Sequence, residues 1–307
     1  MPVIQLFLLI IGFIMLVKGA DWFVDGCSGI AKRLGIPQIV IGLTIVAMGT
    51  SAPEAAVSIT AALKGNADIS VGNILGSNIL NILIILGLTS AIVPIAIQKS
   101  TFVAEIPFMI LITLIFLILG KTNSHISRTE GAFLWVLFIL YLGYLFYLSK
   151  KKKETTITST RPVWQLVIEM LGGAAIVVLG SNVTVNAATK LAEIVGLSQR
   201  FIGLTIVALG TSLPELVTSV AAAKKGNADI VIGNIIGSNI FNILFIIGTS
   251  ALITPLTYDS KFLFDGIIAI ISGVMLWLLL APKKKLCRCS GILMLMGYAI
   301  YLLLLAK

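Results

Sequence analysis

GLTIVAMGTSAPEAAVSITAALKGNADISVGNILGSNILN, residues 42–81, recurs at residues 203–242 as GLTIVALGTSLPELVTSVAAAKKGNADIVIGNIIGSNIFN. At a constant offset of 161 residues, about 28 of the 40 aligned positions are identical, which marks an internal duplication. Each copy sets Pro, Gly, Ser, Asn and a single Glu inside an apolar run. An ionisable side chain is expensive in hydrocarbon, so its presence there reads as functional. Interrupted hydrophobic segments at matching places in two halves are the sequence sign of a midplane site in a secondary transporter.

Composition sets the class independently. Of 307 residues, 58% are hydrophobic and only 11% charged, and mean hydropathy is +1.08, against roughly a quarter charged in a soluble domain. The chain reads as an all-α integral membrane protein whose surroundings are the lipid bilayer. A net charge of +9 could suggest nucleic acid, but the basic residues cluster in short loops beside apolar spans. Topogenic charge explains them, and no nucleic-acid partner is expected.

The apolar runs predict ten transmembrane helices: 3–27, 38–63, 69–94, 102–120 and 130–148, then 163–191, 201–223, 230–255, 262–280 and 291–306. Five spans per copy force the second copy to enter the membrane from the opposite side, giving two inverted five-helix repeats. The expected organisation is a first repeat at 1–149, a cytoplasmic linker at 150–162 (KKKKETTITSTRP) and a second repeat at 163–307. With the N-terminus outside, internal loops hold fourteen Lys and Arg and external loops seven, so both termini are expected outside a cell-membrane protein. The first run lacks a basic leader and a cleavage site and is expected to be retained.

In Gly49-Thr50-Ser51-Ala52-Pro53-Glu54 the proline removes a backbone donor and disturbs the carbonyl four residues back, so oxygens near Ala47 to Thr50 are expected to be freed. Such carbonyls persist in hydrocarbon only where they line a cavity. Glu54 follows Thr50 by four residues and Ser51 by three, which gathers their oxygens on one face. Gly210, Thr211, Ser212, Pro214 and Glu215 repeat the pattern. Inversion would bring the two glutamates together, and an all-oxygen site with two carboxylates suits a hard cation, calcium or sodium. The same residues also read as helix starts, since Ser51-x-x-Glu54 and Ser212-x-x-Glu215 have the form of capping boxes with proline in the first turn. A cap alone does not explain a carboxylate deep in an apolar run in both copies.

The second interrupted segment adds Asn73, Ser77 and Asn81, a polar stripe at four-residue spacing, with Gly72 and Gly76 as a small-residue face; Asn234, Ser238, Asn242, Gly233 and Gly237 match them. Ser77, Asn81, Ser238 and Asn242 lie deepest and are site candidates. Asn73 and Asn234 fit either the site or interhelical hydrogen bonding.

GTSAPE with GNILGSNILN, and GTSLPE with GNIIGSNIFN, resemble the two alpha-repeats of the calcium/cation antiporter superfamily, most closely the archaeal sodium/calcium exchangers. The resemblance covers both signature regions and the ten-span layout. It implies that sodium moving down its gradient drives calcium the other way by alternating access, with no cofactor, these two ions being the transported partners. Glu54 and Glu215 would be the central ligands, with Thr50 and Thr211 giving backbone or hydroxyl oxygens. Ser51, Ser77, Ser212 and Ser238, with the carbonyls of Ala47 and Ala208, would complete sodium sites. Spans 3–27 and 163–191 would slide as a gating bundle. Asn242 departs from the pattern, because the resemblance leads one to expect an acidic residue there. An amide keeps an oxygen but carries no charge.

Other features are weaker. Lys150 to Lys153 could attract anionic lipid, although an ordinary topogenic loop suffices. The linker is too short for a folded regulatory domain, and no obligate protein partner is evident. Cys287 and Cys289 lack further ligands for a metal site, and Cys27 is distant in sequence. His125, the only histidine, falls in a loop, which argues against a histidine proton relay. Asp21, Asp25 and Glu169, in or near the first and sixth spans, could face water or tune gating. A proton-driven cation antiporter is the alternative on the same fold. A channel would more naturally build its ring by oligomerising, and no phosphate loop, zinc signature or nucleophile–base pair points to an enzyme.

Overall fold

The computed structural model describes residues 2–65, 67–151, 161–194 and 208–305. Backbone polar groups inside a bilayer must be satisfied within the segment, so the apolar runs are helical. In chain order they are α1 (Pro2–Leu34), α2 (38–50), α3 (Ala52–Leu63), α4 (67–92), α5 (101–123), α6 (Arg128–Lys151), α7 (Val163–Ile194), α8 (Ala208–Thr211), α9 (Leu213–Lys224), α10 (228–253), α11 (Lys261–Leu280) and α12 (Arg288–Leu305). Four of these carry a wider π turn, at Gly42–Val46, Asn81–Leu86, Thr101–Glu105 and Asn242–Ile247.

Among the described residues, eight helices are long and apolar enough to cross a bilayer, or nine when α2 and α3, bent by 52° at their junction, count as one broken span. Of the expected span at 201–223, residues 201–207 lie outside the described residues. Some boundaries move. α1 runs on to Leu34, where Lys32 and Arg33 fill its last turn, and α6 continues to Lys151, past the end of the span expected at 148. Basic side chains suit helix C-termini, so both extensions follow from the backbone dipole.

α1 and α7 form a long antiparallel pair. Gly12, Gly19 and Gly26 recur every seven residues along the contact, and a Cβ built on Gly19 would stand 2.9 Å from Val177 N, so the two backbones touch. The opposite side of α1, with Val3, Phe7, Ile10, Ile14 and Val17, is exposed and faces the bilayer region. α10 is buried along nearly its whole length. It crosses α2 where Gly233 meets Gly42, a Cβ on Gly233 falling 2.8 Å from Gly42 Cα. A Cβ on Gly237 would fall as close to Leu43 and Ala47, whereas one on Gly76 would meet no other described element within 4 Å.

The paired strands are two residues long and lie in loops. β1 (Ile95–Ala96) pairs antiparallel with β4 (Lys285–Leu286), and β2 (His125–Ile126) with β3 (Leu256–Thr257). Each pair ties a loop of one half to a loop of the other.

The α2–α10 crossing generates a test. Gly233→Val must push α10 off the Gly42 backbone and is expected to cost about 1–3 kcal/mol, read as a lower unfolding midpoint in detergent. Gly143→Ala in α6, where an added Cβ would meet no described neighbour within 4 Å, should be neutral or stabilising by up to about 1 kcal/mol.

Candidate functional site

α3 and α9 start alike. Each has proline in its first turn and serine at its N-cap, yet neither Ser51 nor Ser212 makes a side-chain capping bond. The capping boxes expected from sequence therefore do not form. Ser51 Oγ instead donates to Glu215 Oε1 at 2.8 Å and Ser212 Oγ to Glu54 Oε1 at 3.1 Å. Each serine serves the carboxylate of the other half, and the two glutamates are 1% and 0% exposed. Two backbone bonds span the α2–α3 break, from Ser51 N to Ala47 O and from Ala55 N to Ser51 O, both 3.0 Å.

The asparagines divide into two kinds. Asn73 Nδ2 donates to Ser58 Oγ (2.9 Å) and Glu54 O (3.4 Å), and Asn234 Nδ2 to Ser219 Oγ (3.1 Å) and Glu215 O (3.4 Å). Both brace the glutamate helices from behind, which favours the structural reading of this pair. Asn81 and Asn242 each open a π turn. Asn81 Nδ2 donates to Asn239 Oδ1 (2.9 Å), and Asn242 Nδ2 to Asn78 Oδ1 (3.0 Å). Asn78 and Asn239 in turn donate to each other's backbone carbonyls, at 3.3 and 3.2 Å. This crossed clasp of four amides commits the nitrogens of Asn81 and Asn242 and leaves their oxygens over.

Those oxygens are buried and accept no hydrogen bond, and the same holds for Glu54 Oε2 and Glu215 Oε2. Unpaired buried oxygens are costly and call for an explanation such as an ion. Two carboxylate and two amide oxygens, contributed evenly by the copies, form a hard donor set suited to calcium or sodium rather than to a soft metal.

The remaining candidates sit around this set. Ser212 Oγ also lies 3.5 Å from Ser77 Oγ. Ser238 Oγ donates to Ala47 O at 3.4 Å. Thr50 Oγ1 has one proton to give, with Asn234 Oδ1 (3.0 Å) and the Val46 and Ala47 carbonyls (3.1 and 3.3 Å) as its alternative acceptors. The Ala47 carbonyl accepts Ser51 N at 3.0 Å and lies within reach of the Ser238 and Thr50 hydroxyls, at 3.4 and 3.3 Å, because proline acts on the carbonyl four residues back at Gly49. Thr211 ends α8, half-buried and with partners of its own. Ala208 opens the same short helix, and its side chain lies outside the described residues. Reading the sequence passed over Asn78 and Asn239. Their signal was the Ser-Asn pair in each GSN, but only the packing of α4 on α10 shows which asparagine pairs across the halves.

Comparison with known proteins agrees over the whole chain. Residues 4–147 and 166–307 match the family described as sodium/calcium exchanger protein. The chain is 39% identical over 310 residues to the CaxA protein of Alkalimonas amylolytica, covering 96% of this chain and 97% of that one. It is 31% identical over 351 residues to the sodium/calcium exchanger MaX1 of Methanosarcina acetivorans, covering 99% of each. The structure of the sodium-calcium exchanger NCX_Mj soaked without sodium and calcium superimposes with a TM-score of 0.88 at 33% identity, over 99% of this chain and 100% of that one.

The clasp requires a donor at position 242. In Asn242→Asp an ionised carboxylate would oppose Asn78 Oδ1, whereas a protonated one could donate as the amide does. In chelator and without sodium, Asn242→Asp is therefore expected to lose more stability relative to the wild type in alkaline than in acidic buffer. An equal loss at both would show that the clasp does not constrain this position.

Proposed function

We propose that this chain, which belongs to the sodium/calcium exchanger protein family, lets sodium enter down its gradient and drives calcium the other way by alternating access. The observation that carries this reading is the set of four buried, unpartnered oxygens, Glu54 Oε2, Glu215 Oε2, Asn81 Oδ1 and Asn242 Oδ1. Calcium takes six to eight oxygens at about 2.3–2.6 Å, so these four and the carboxylates' other oxygens make the core of such a shell. Two carboxylates neutralise one calcium ion, while several sodium ions would leave net positive charge. Competition for one pair of carboxylates couples the two ions. Sodium would use the flanking oxygens of Ser51, Ser77, Ser212, Ser238, Thr50 and Thr211, together with the carbonyls of Ala47 and Ala208.

The loop pairings support the inverted ten-helix arrangement. The loop before α5 pairs with the loop before α12, and the loop before α6 with the loop before α11. The third-to-fourth connection of one half thus shares a side with the fourth-to-fifth connection of the other, as opposite insertion of the repeats requires. The sliding bundle would be α1 with α7. Leu16, Ala20 and Val177 of this pair meet Leu213, Val217 and Ala221 of α9 in a small apolar cluster, while Phe23, Val24, Cys27 and Ala31 of α1 pack into the main core.

The test is calcium uptake by liposomes containing the purified chain, driven by an outward sodium gradient. Uptake should be abolished in Glu54→Gln. Uptake driven only by an outward proton gradient would replace this reading with a proton-coupled one.

Both termini are placed outside the cell membrane, with residues 150–162 and the loop before α12 in the cytoplasm. Cys287 and Cys289 are exposed while Cys27 is buried. The Ser290 hydroxyl, 3.2 Å from Cys287 Sγ, holds that thiol below its ordinary value and favours its reaction. A membrane-impermeant maleimide should therefore label inside-out vesicles and spare intact cells. Labelling of intact cells would reverse the orientation.

A further inference from the structure

α5 begins with the π turn Thr101–Glu105, which turns a glutamate into an apolar wall. Glu105 is 1% exposed. Tyr144 Oη of α6 donates to Glu105 Oε1 at 2.6 Å, while Glu105 Oε2 and the Tyr141 hydroxyl are buried with no hydrogen-bond partner. Among the described residues, no Lys, Arg or His forms an ion pair with Glu105. It makes no hydrogen bond to the Glu54–Glu215 centre, so the exchange site does not account for it. A carboxylate in a membrane span needs a partner, and this one has a single phenol.

A cavity of about 340 Å³ adjoins it, lined by Glu105, Phe108, Leu137, Leu140, Tyr141 and Tyr144. Phe108 and Tyr141 stack with centroids 5.5 Å apart. Leu140 is 63% exposed, so the cavity opens on the side that faces the bilayer. Lys150 and Lys151 close α6 six and seven residues beyond Tyr144, about 9–10 Å along the helix, which sets the cavity near one end of the span. The volume suits a small ligand. One carboxylate among aromatic and aliphatic walls cannot supply the six or more oxygens that calcium needs. It would repel an anion. Aromatic faces beside a negative charge favour an organic cation. A carboxylate–phenol pair recurs in the second half, where Tyr301 Oη donates to Asp265 Oδ1 at 2.8 Å, but there neither carboxylate oxygen is buried without a partner.

We propose that the groove between α5 and α6 binds an ammonium-bearing amphiphile from the bilayer. Glu105 is its counter-ion, Phe108, Tyr141 and Tyr144 the aromatic wall, and Leu137 and Leu140 the seat of its apolar chain. The ammonium could belong to a phospholipid headgroup or to a free alkylamine.

The full chain is reconstituted in phosphatidylglycerol nanodiscs, which contain no ammonium, and photolabelled with an alkyltrimethylammonium probe or an alcohol probe of the same chain length. The ammonium probe should label peptides from 101–123 and 128–151, and labelling should fall about tenfold in Glu105→Gln, the scale of a lost charge-assisted contact. The alcohol should not label them selectively. Competition by phosphatidylethanolamine built into the discs would identify a lipid headgroup, and competition by dodecylamine alone a free amine. Equal labelling by the alcohol, unchanged labelling in Glu105→Gln, or failure of both competitors would overturn the proposal. Should Glu105→Gln not fold, the probe comparison and competition on the wild type decide the question.

Discussion

Two carboxylates enclosed in an apolar helical bundle are the constraint on which the other features depend. Burying even one unpaired charge is costly, and burying two of the same sign is worse. Glu54 and Glu215 tolerate burial because each accepts a serine hydroxyl from the opposite half and each keeps one oxygen for something else. No lysine or arginine neutralises them among the described residues. In the proposed exchange their positive charge would come from an ion that arrives and leaves, which a structural salt bridge would prevent.

The duplication would make the proposed site, because neither half completes these contacts alone. Ser51 has its partner in Glu215, Asn81 in Asn239 and Asn242 in Asn78, so these stabilising contacts all cross between halves. Glycine at 42 and 233 lets α2 and α10 come to backbone contact, which brings those side chains within hydrogen-bonding range. A bulkier residue at the crossing would loosen the clasp as well as the packing.

Much of this was legible in the chain. Helical class, the broken spans and the two glutamates follow from periodicity, proline placement and the cost of charge in hydrocarbon. Three things were not. The hydroxyls of Ser51 and Ser212 look locally like caps and turn instead to partners more than 150 residues away, a choice that sequence spacing cannot encode. Asn78 and Asn239 stand one residue beyond Ser77 and Ser238, off the four-residue stripe, and only the packing of α4 on α10 makes them the partners of Asn242 and Asn81. The Ala47 carbonyl accepts the Ser51 amide across the α2–α3 break and lies 3.4 Å from the Ser238 hydroxyl of the other half, a neighbour that sequence spacing does not give.

The most direct measurement is a crystal structure of the full chain grown in calcium. The expected result is one ion at the pseudo-symmetric centre, with oxygens of Glu54, Glu215, Asn81 and Asn242 at about 2.3–2.6 Å and the amide clasp intact. Calcium bound elsewhere, or a centre in which the amide nitrogens rather than the oxygens face the glutamates, would contradict the assignment of these four residues as the ion site.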